Sequence, residues 1–160
     1  MKKIEAFSLH NTKGQSILEK DFSGNPNCTF YGPIVRYTWL LDGQQHEALR
    51  GGYWHVLPDA NGFICFERNS PAQPDNCLLL DAYGKERMRL TVPWQMTGST
   101  SPESGQPPTS FANISEPYVN PADGIKGKFG VTAWVEYAGK YYFELDYHTG
   151  QFLWCKRIMD

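Results

Sequence analysis

The chain has 160 residues, of which 20% are charged and 14% are aromatic, and its formal net charge at pH 7 is −2. A chain of this length is expected to form a single domain, residues 1–160, that buries roughly 68–70% of its unfolded surface. The small net charge gives no field that attracts nucleic acid, and no run of 18 apolar residues is present to span a membrane. We therefore expect neither nucleic acid nor a membrane as a partner. The first 14 residues lack the apolar core of a signal peptide, so a cytoplasmic location with reduced thiols is expected.

Alternation of apolar and polar residues with period two predicts antiparallel strands along most of the chain. Asp42-Gly43 is a strong hairpin turn signal. The segment after it, residues 44–50, has few apolar residues and is predicted to be an edge strand, with a short helix at 44–49 as the alternative. The other predicted strands before residue 93 are 4–9, 15–21, 34–41, 53–57, 63–67, 77–81 and 85–92, and residues 28–31 are a candidate for a further short strand.

One short pattern recurs at three turns, where a strand is followed by a few turn residues, a glycine, a polar residue and the next strand. It occurs at 9–15, 80–85 and 145–151. This resembles the outer hairpin of a β-propeller blade, but 160 residues hold at most about three blades, and propellers have four or more. We therefore predict an all-β fold, an antiparallel meander of hairpins that forms a sandwich or a propeller-like stack of sheets.

A long proline-rich loop is predicted at residues 93–127, which hold six of the eleven prolines. Connections of this length exceed the roughly 12–15 residues that are usual within a compact domain, and they are commonly functional. Apolar residues such as Trp94 and Tyr118 are expected to anchor its two ends, and its middle is expected to be mobile.

The clearest strands lie at residues 129–158, where the alternation predicts a three-stranded meander. A three-residue loop at 137–139 would place Val135 opposite Tyr141, and a four-residue turn at 147–150 would place Phe143 opposite Trp154. In this register the apolar odd-numbered residues share one core face.

The opposite face of this meander combines aromatic rings with charged groups, and we interpret it as a docking surface. The alternative is a solvated face with cross-strand ion pairs. Asp81 and Asp146 also have a structural explanation, because an Asp that opens a turn accepts hydrogen bonds from the turn amides. The predicted partner-binding residues are Trp134, Glu136, Tyr142, Glu144, Asp146 and Arg157.

The sequence contains no phosphate-binding glycine motif, no nucleophile elbow and no zinc-protease motif. The four histidines are scattered and no CxxC spacing occurs, so no metal, no cofactor and no catalytic residue are predicted. Cys65 and Cys77 lie in apolar runs and are expected to be core residues. Cys28 is the best candidate for a reactive thiol, although a structural role is favoured.

In its size, aromatic content and lack of a signal peptide, the chain resembles the small cytoplasmic immunity proteins that neutralise bacterial toxins. The resemblance implies a non-catalytic inhibitor whose acidic and aromatic face covers the active site of a basic toxin domain. One alternative is a small protein or hydrolase that binds carbohydrate or another small ligand through Glu136, Glu144 and Asp146. A pocket of about 300 Å³ at these carboxylates would favour that alternative. A homo-oligomer formed through the edge strand at 44–50 is a third possibility.

Overall fold

A computed structural model describes residues 3–22, 30, 32–49, 51–68, 73–98, 109–135 and 138–159. These residues form twelve strands with one four-residue α-helix and one 3₁₀ helix, which confirms the all-β prediction. The helix α1 (Glu19–Phe22) takes the place of the second half of the strand predicted at 15–21, whose first half is confirmed as a strand at Ser16–Leu18, and the 3₁₀ helix spans Trp94–Thr97. The candidate strand at 28–31 lies outside the described residues except for residue 30. The strands are β1 (Ile4–Asn11), β2 (Ser16–Leu18), β3 (Ile34–Leu41), β4 (Gln44–Ala48), β5 (Tyr53–Val56), β6 (Gly62–Phe66), β7 (Cys77–Asp81), β8 (Glu86–Leu90), β9 (Ser110–Ser115), β10 (Gly130–Val135), β11 (Gly139–Asp146) and β12 (Gln151–Met159).

In the described residues the strands form three four-stranded antiparallel sheets. Sheet A has the order β2-β1-β3-β4, sheet B the order β5-β6-β7-β8, and sheet C the order β12-β11-β10-β9. The strand β4 lies at an edge of sheet A, which confirms the predicted edge strand and excludes the alternative helix.

The chain divides into two compact units, and each unit draws on two separate stretches of sequence. Unit 1 comprises Met1–Arg68 and Leu78–Arg87, and unit 2 comprises Asn69–Cys77 and Met88–Asp160. The prediction of one domain at 1–160 stays a prediction.

The core of unit 1 lies between the inner faces of sheets A and B and is rich in aromatic rings. Tyr37 stacks on Trp54 with ring centroids 5.1 Å apart, and Trp39 meets Phe63 edge-on at 4.8 Å. The indole Nε1 of Trp39 donates to the carbonyl oxygen of Ala82 at 2.9 Å, so this buried polar group is satisfied.

A β-bulge in β1 changes the predicted alternation of that strand. The pairing of β1 with β3 shifts between Glu5 and Ser8, and Ala6 has a φ of +51°. One extra residue reverses the parity of a strand, so Ile4 and Phe7 are both buried although they have opposite parity.

The three turns that share the sequence pattern also share a structure. In each turn the side-chain oxygen of an Asn or Asp accepts hydrogen bonds from turn amides, at distances between 2.9 and 3.4 Å. The glycine that follows has a φ of +78° or +79° and donates its N–H to the carbonyl of the same Asn or Asp. This geometry needs the short side-chain acceptor and the glycine, so the repeat is three equivalent hairpins. The turn residues are Asn11 with Gly14, Asp81 with Gly84, and Asp146 with Gly150.

The predicted loop at 93–127 contains regular structure that the sequence did not predict. The 3₁₀ helix lies at its start, and β9 pairs with β10 as a strand of sheet C. An antiparallel bridge joins Val119 to Lys126 in the segment before β10. Residues 99–108 lie outside the described residues, so the mobility expected for the middle of this loop stays a prediction.

Candidate functional site

The pairing of β10 with β11 differs by two residues from the predicted register. Val135 lies opposite Gly139 and Ala133 lies opposite Tyr141, so the connecting loop begins one residue earlier than predicted. A hydrogen bond of 3.0 Å from the Ala138 N–H to the Val135 carbonyl closes this turn. Because the shift is an even number of residues, every side chain of the two strands stays on its predicted face.

A β-bulge at Leu153 alters the faces of β12. The turn before β12 has the predicted register, but Glu144 then lies opposite Trp154, which leaves Leu153 as the extra residue. The prediction that Phe143 lies opposite Trp154 is therefore wrong. The bulge turns Trp154 onto the face of Glu144.

The same bulge exchanges the two basic residues that follow. Lys156 lies opposite Tyr142, and Arg157 lies opposite Tyr141. Directly opposed residues of an antiparallel pair share a face, so Arg157 is on the other side of the sheet from Tyr142. The prediction that Arg157 belongs to the Tyr142 surface is wrong, and Lys156 takes its place.

These pairings define a surface of sheet C that we call the Trp134 face. Its residues project from the same side of β10, β11 and β12 in successive rows of the sheet. The members are Thr132, Trp134, Lys140, Tyr142, Glu144, Trp154 and Lys156.

Glu144 is buried, and its carboxylate binds groups of its own chain. The side chain is only 5% exposed. Its Oε2 accepts from the Lys128 N–H at 2.7 Å and from the Phe129 N–H at 3.4 Å. Its Oε1 accepts from the Tyr142 hydroxyl. The carboxylate thereby holds the segment that leads into β10, and a partner cannot reach it in this structure.

Tyr142 lies under the segment of residues 116–128. Its ring is fully buried and contacts Tyr118 with centroids 5.0 Å apart. A methyl group on Gly130 would overlap the Tyr142 ring, and one on Gly127 would overlap the Glu144 carboxylate. Burial first, and the hydrogen bond to Glu144 second, raise the pKa of Tyr142 well above its ordinary value.

The part of the Trp134 face that reaches solvent is cationic and aromatic. Trp134 is 43% exposed, and the Lys140 Nζ lies 6.0 Å from the centre of its ring. The Nζ of the exposed Lys156 lies 5.6 Å from the centre of the Tyr118 ring. Both contacts are cation–π interactions. Among the described members of this face listed above, the burial of Glu144 thus leaves Lys140 and Lys156 as the accessible charges.

Asp146 lies at the end of β11 and caps the turn that follows. Its Oδ1 accepts from the His148 N–H at 3.0 Å and from the Thr149 N–H at 3.4 Å. These bonds to the turn amides lower the pKa of Asp146, the bond from His148 making the largest contribution. The structural explanation offered for this residue is confirmed. Glu136, the remaining predicted site residue, lies outside the described residues.

A second candidate site lies on the outer face of sheet A and was missed by the sequence reasoning. It is a cleft of about 320 Å³, which we call the His10 cleft. The sequence reasoning placed His10 in a turn, whereas β1 continues to Asn11. Leu9 and Tyr37 are core residues. Since successive side chains of a strand point to opposite faces, their neighbours His10 and Arg36 could have been placed together on the outer face. The cleft is lined by His10, Asn11, Gly14, Gln15, Ser16, Val35, Arg36 and Leu49.

Among the described residues, no group of three or more His, Cys, Asp or Glu side chains is arranged to hold a metal ion. Cys65 and Cys77 are fully buried, which confirms them as core residues. Cys28 lies outside the described residues. In the same part of the chain no helix has the length and apolar character needed to cross a membrane.

No protein-family model and no curated protein matches the chain. Among solved structures it is similar to a chain from the structure of Tne2 in complex with Tni2, with a TM-score of 0.63 and 13% sequence identity. The match covers 97% of this chain and 99% of that chain. At this identity the similarity shows a common fold along nearly the whole of both chains.

Proposed function

We propose that this protein is a non-catalytic protein-binding domain, an immunity or inhibitor protein that neutralises a cognate toxin in the cytoplasm. The observation that carries the proposal is the exposed Trp134 on sheet C, with Lys140 beside its ring, because tryptophan is a typical anchor residue of protein interfaces. The similar chain in the Tne2–Tni2 structure supports it, since that fold occurs there within a complex of two proteins. The resemblance to immunity proteins in size and aromatic content supports it as well.

The contacts of the carboxylates disfavour the alternative of a carbohydrate-binding protein or hydrolase. Glu144 is buried and accepts bonds from Tyr142 and two backbone amides. The Asp146 Oδ1 accepts hydrogen bonds from two backbone amides of the turn that follows β11. A glycosidase needs two carboxyl groups that reach the same glycosidic bond. In this arrangement Glu144 and Asp146 both stabilise the fold, and Glu136, the third carboxylate of that alternative, lies outside the described residues.

The accessible charges of the Trp134 face change the expected chemistry of the partner. The sequence predicted an acidic face for a basic toxin domain, but Glu144 is not accessible, whereas Lys140 and Lys156 are half-exposed and exposed. A face with these lysines is complementary to a surface that carries Asp and Glu side chains. We therefore propose an acidic partner surface. The net charge of −2 favours a protein over nucleic acid, because nucleic-acid binding relies on an excess of basic residues.

Affinity capture from the organism that encodes the chain, followed by mass spectrometry, tests this function. A stoichiometric protein partner that is toxic when expressed alone is expected. The double variant Trp134→Ala, Lys140→Ala should then weaken binding by about 30-fold or more, as the loss of an interface anchor does. The matched control is Tyr83→Ala, Lys85→Ala, which removes an exposed aromatic ring and an exposed lysine of unit 1.

The possible results distinguish an error in the proposed binding surface from an error in the proposed function. Unchanged affinity in the Trp134 double variant, with unchanged thermal stability, would contradict the Trp134 face while leaving the function intact. Capture of nucleic acid without a protein would contradict the function itself. A mass that rises with concentration in sedimentation would instead support the homo-oligomer predicted through β4.

A further inference from the structure

The outer face of sheet A places three polar side chains in one row. Ser16 lies opposite His10 in the pairing of β2 with β1, and Arg36 lies opposite His10 in the pairing of β1 with β3. Their neighbours Leu9 and Tyr37 point into the core of unit 1. Because successive side chains of a strand alternate in direction, this row points away from the core. The row forms the floor of the His10 cleft.

The hydrogen bonds of His10 fix its tautomer. Its Nδ1 lies 2.6 Å from the Ser16 Oγ and 3.3 Å from an Nη2 of Arg36, and its Nε2 lies 2.8 Å from the Thr38 Oγ1. A guanidinium can only donate, so Nδ1 accepts and carries no proton. The proton is therefore on Nε2, which donates to Thr38, and the imidazole is neutral. Burial first, and then the charge of Arg36, lower the pKa of His10, which also favours the neutral imidazole.

Arg36 is the cation of the cleft, and its guanidinium is incompletely used. Its Nη1 lies 3.3 Å from the Glu47 Oε2 in an ion pair whose side chains are 39% and 43% exposed. An ion pair at this exposure is weak, because solvent screens it. A guanidinium offers five donors in a planar fork that matches a carboxylate. A ligand carboxylate can therefore take the place of Glu47 on Arg36 at little cost.

Two exposed aliphatic side chains in the walls of the cleft provide an apolar contact surface for a ligand. Val35 is 43% exposed and Leu49 is 73% exposed, and both line the cleft beside Arg36. A volume of about 320 Å³ is within the range of small-molecule sites. A charged anchor next to exposed aliphatic side chains favours an organic anion with an apolar body over an inorganic anion.

We propose that the His10 cleft is a binding site for a small organic carboxylate, with Arg36 as its anchor and Val35 and Leu49 against its apolar part. Neutral His10 positions the guanidinium through Nδ1, and Ser16 and Thr38 hold the imidazole in place. The site lies in unit 1 and is independent of the protein partner proposed for the Trp134 face.

Titration of the intact protein with butyrate, followed by NMR, tests the site. Saturable shifts of the His10 ring protons and the Gly14 amide are expected at millimolar butyrate, as for a very small ligand. Butyramide, which has the same shape without the charge, should give no saturable shift. Inorganic phosphate should bind more weakly than butyrate, because it has no apolar part.

Three substitutions separate the anchoring role of Arg36 from the effect of the protein's general charge. Arg36→Gln should weaken butyrate binding about tenfold or more, the effect of losing a bidentate charged contact. The control Arg87→Gln removes another exposed arginine of unit 1 and should leave binding unchanged. Glu47→Gln should strengthen binding about two- to fivefold, because it removes a competing carboxylate from an exposed ion pair.

The outcome of Glu47→Gln keeps the proposal testable even if Arg36→Gln disturbs the fold. Weaker or unchanged binding in Glu47→Gln would overturn the replacement of Glu47 by the ligand. Shifts that do not saturate, equal shifts with butyramide, or stronger binding of phosphate than of butyrate would overturn the carboxylate site.

Discussion

The outer face of sheet A and the Trp134 face of sheet C both follow from the alternation of side chains along strands, but they differ in how far other segments of the chain cover them. On sheet A, Arg36 and Glu47 remain at the surface and line or border a cleft. On sheet C, residues 116–128 cover the middle of the face, so Glu144 and Tyr142 are buried. A charged side chain on the non-core face of a sheet is therefore available to a ligand only where no other segment of the chain covers it. Whether such a charge can bind a ligand thus depends on the covering segment and not on the strand that carries the charge.

Replacement of Glu144 by alanine should cause the largest loss of stability among the substitutions on these two faces. The change leaves the Tyr142 hydroxyl and the amides of Lys128 and Phe129 without their acceptor. The free energy of unfolding should fall by about 3 kcal/mol or more, because each unsatisfied buried group costs about 1–3 kcal/mol. Urea denaturation followed by tryptophan fluorescence measures this loss.

Glu47→Ala is the matched control for that experiment, since Glu47 is an exposed glutamate of sheet A. Its free energy of unfolding should change by less than about 0.5 kcal/mol, as is usual at the surface. Equal effects of the two substitutions would show that the Glu144 carboxylate does not hold the covering segment.

Substitution of Gly130 by alanine should disturb the same buried region more locally. The new methyl group would overlap the Tyr142 ring, and overpacking of this kind costs about 1–3 kcal/mol. Gly51→Ala is the control, because no atom lies within 4 Å of the added methyl group there. Thermal unfolding of Gly130→Ala, Tyr142→Leu and the double variant measures the coupling. Strictly additive losses in the double variant would contradict the contact between Gly130 and the ring.

The hairpin turns are the part of the fold that was most predictable from the sequence. Asp81 and Asp146 accept hydrogen bonds from turn amides, as proposed, and the glycines that follow have positive φ. Such turns depend on residues within five positions of one another, so their signals are local. The edge position of β4 was predicted for a similar reason, since it follows from the low apolar content of the strand itself.

The bulges at Ala6 and Leu153 and the covering segment could not be predicted, because their causes are not local. Ala6 and Leu153 are ordinary strand residues, and nothing in their identity indicates an inserted position. Each bulge reverses the parity of the residues beyond it, which is why Arg157 was assigned to the wrong face. The burial of Glu144 depends on packing between segments distant in sequence, and strand alternation carries no information about such a cover.

The free energy of unfolding at alkaline pH should report on the burial of Tyr142. Its pKa is raised by burial and by the Glu144 bond above the ordinary value of 10.0, which an unfolded chain retains. The stabilisation is complete below pH 10 and is lost as the pH rises further, because only the unfolded state ionises readily. The free energy of unfolding should therefore decrease from pH 9 to 11. Tyr142→Phe should make this slope shallower, but it should not remove it, because the pKa of Tyr37 is also raised.

The smallest expected effect concerns His10 on sheet A, between pH 7 and 5. Burial and the charge of Arg36 lower its pKa below the ordinary value of 6.5, while the exposed Glu47 opposes them. The stabilisation is present above pH 6.5, and it is lost as the pH falls through the folded-state pKa, because the unfolded chain binds the proton more readily. His10→Gln should reduce the acid-side slope of the free energy of unfolding. Long-range ¹H–¹⁵N correlation spectra at pH 7.5 should show the proton of His10 on Nε2, and a proton on Nδ1 would contradict the acceptor role on which the geometry of Arg36 depends.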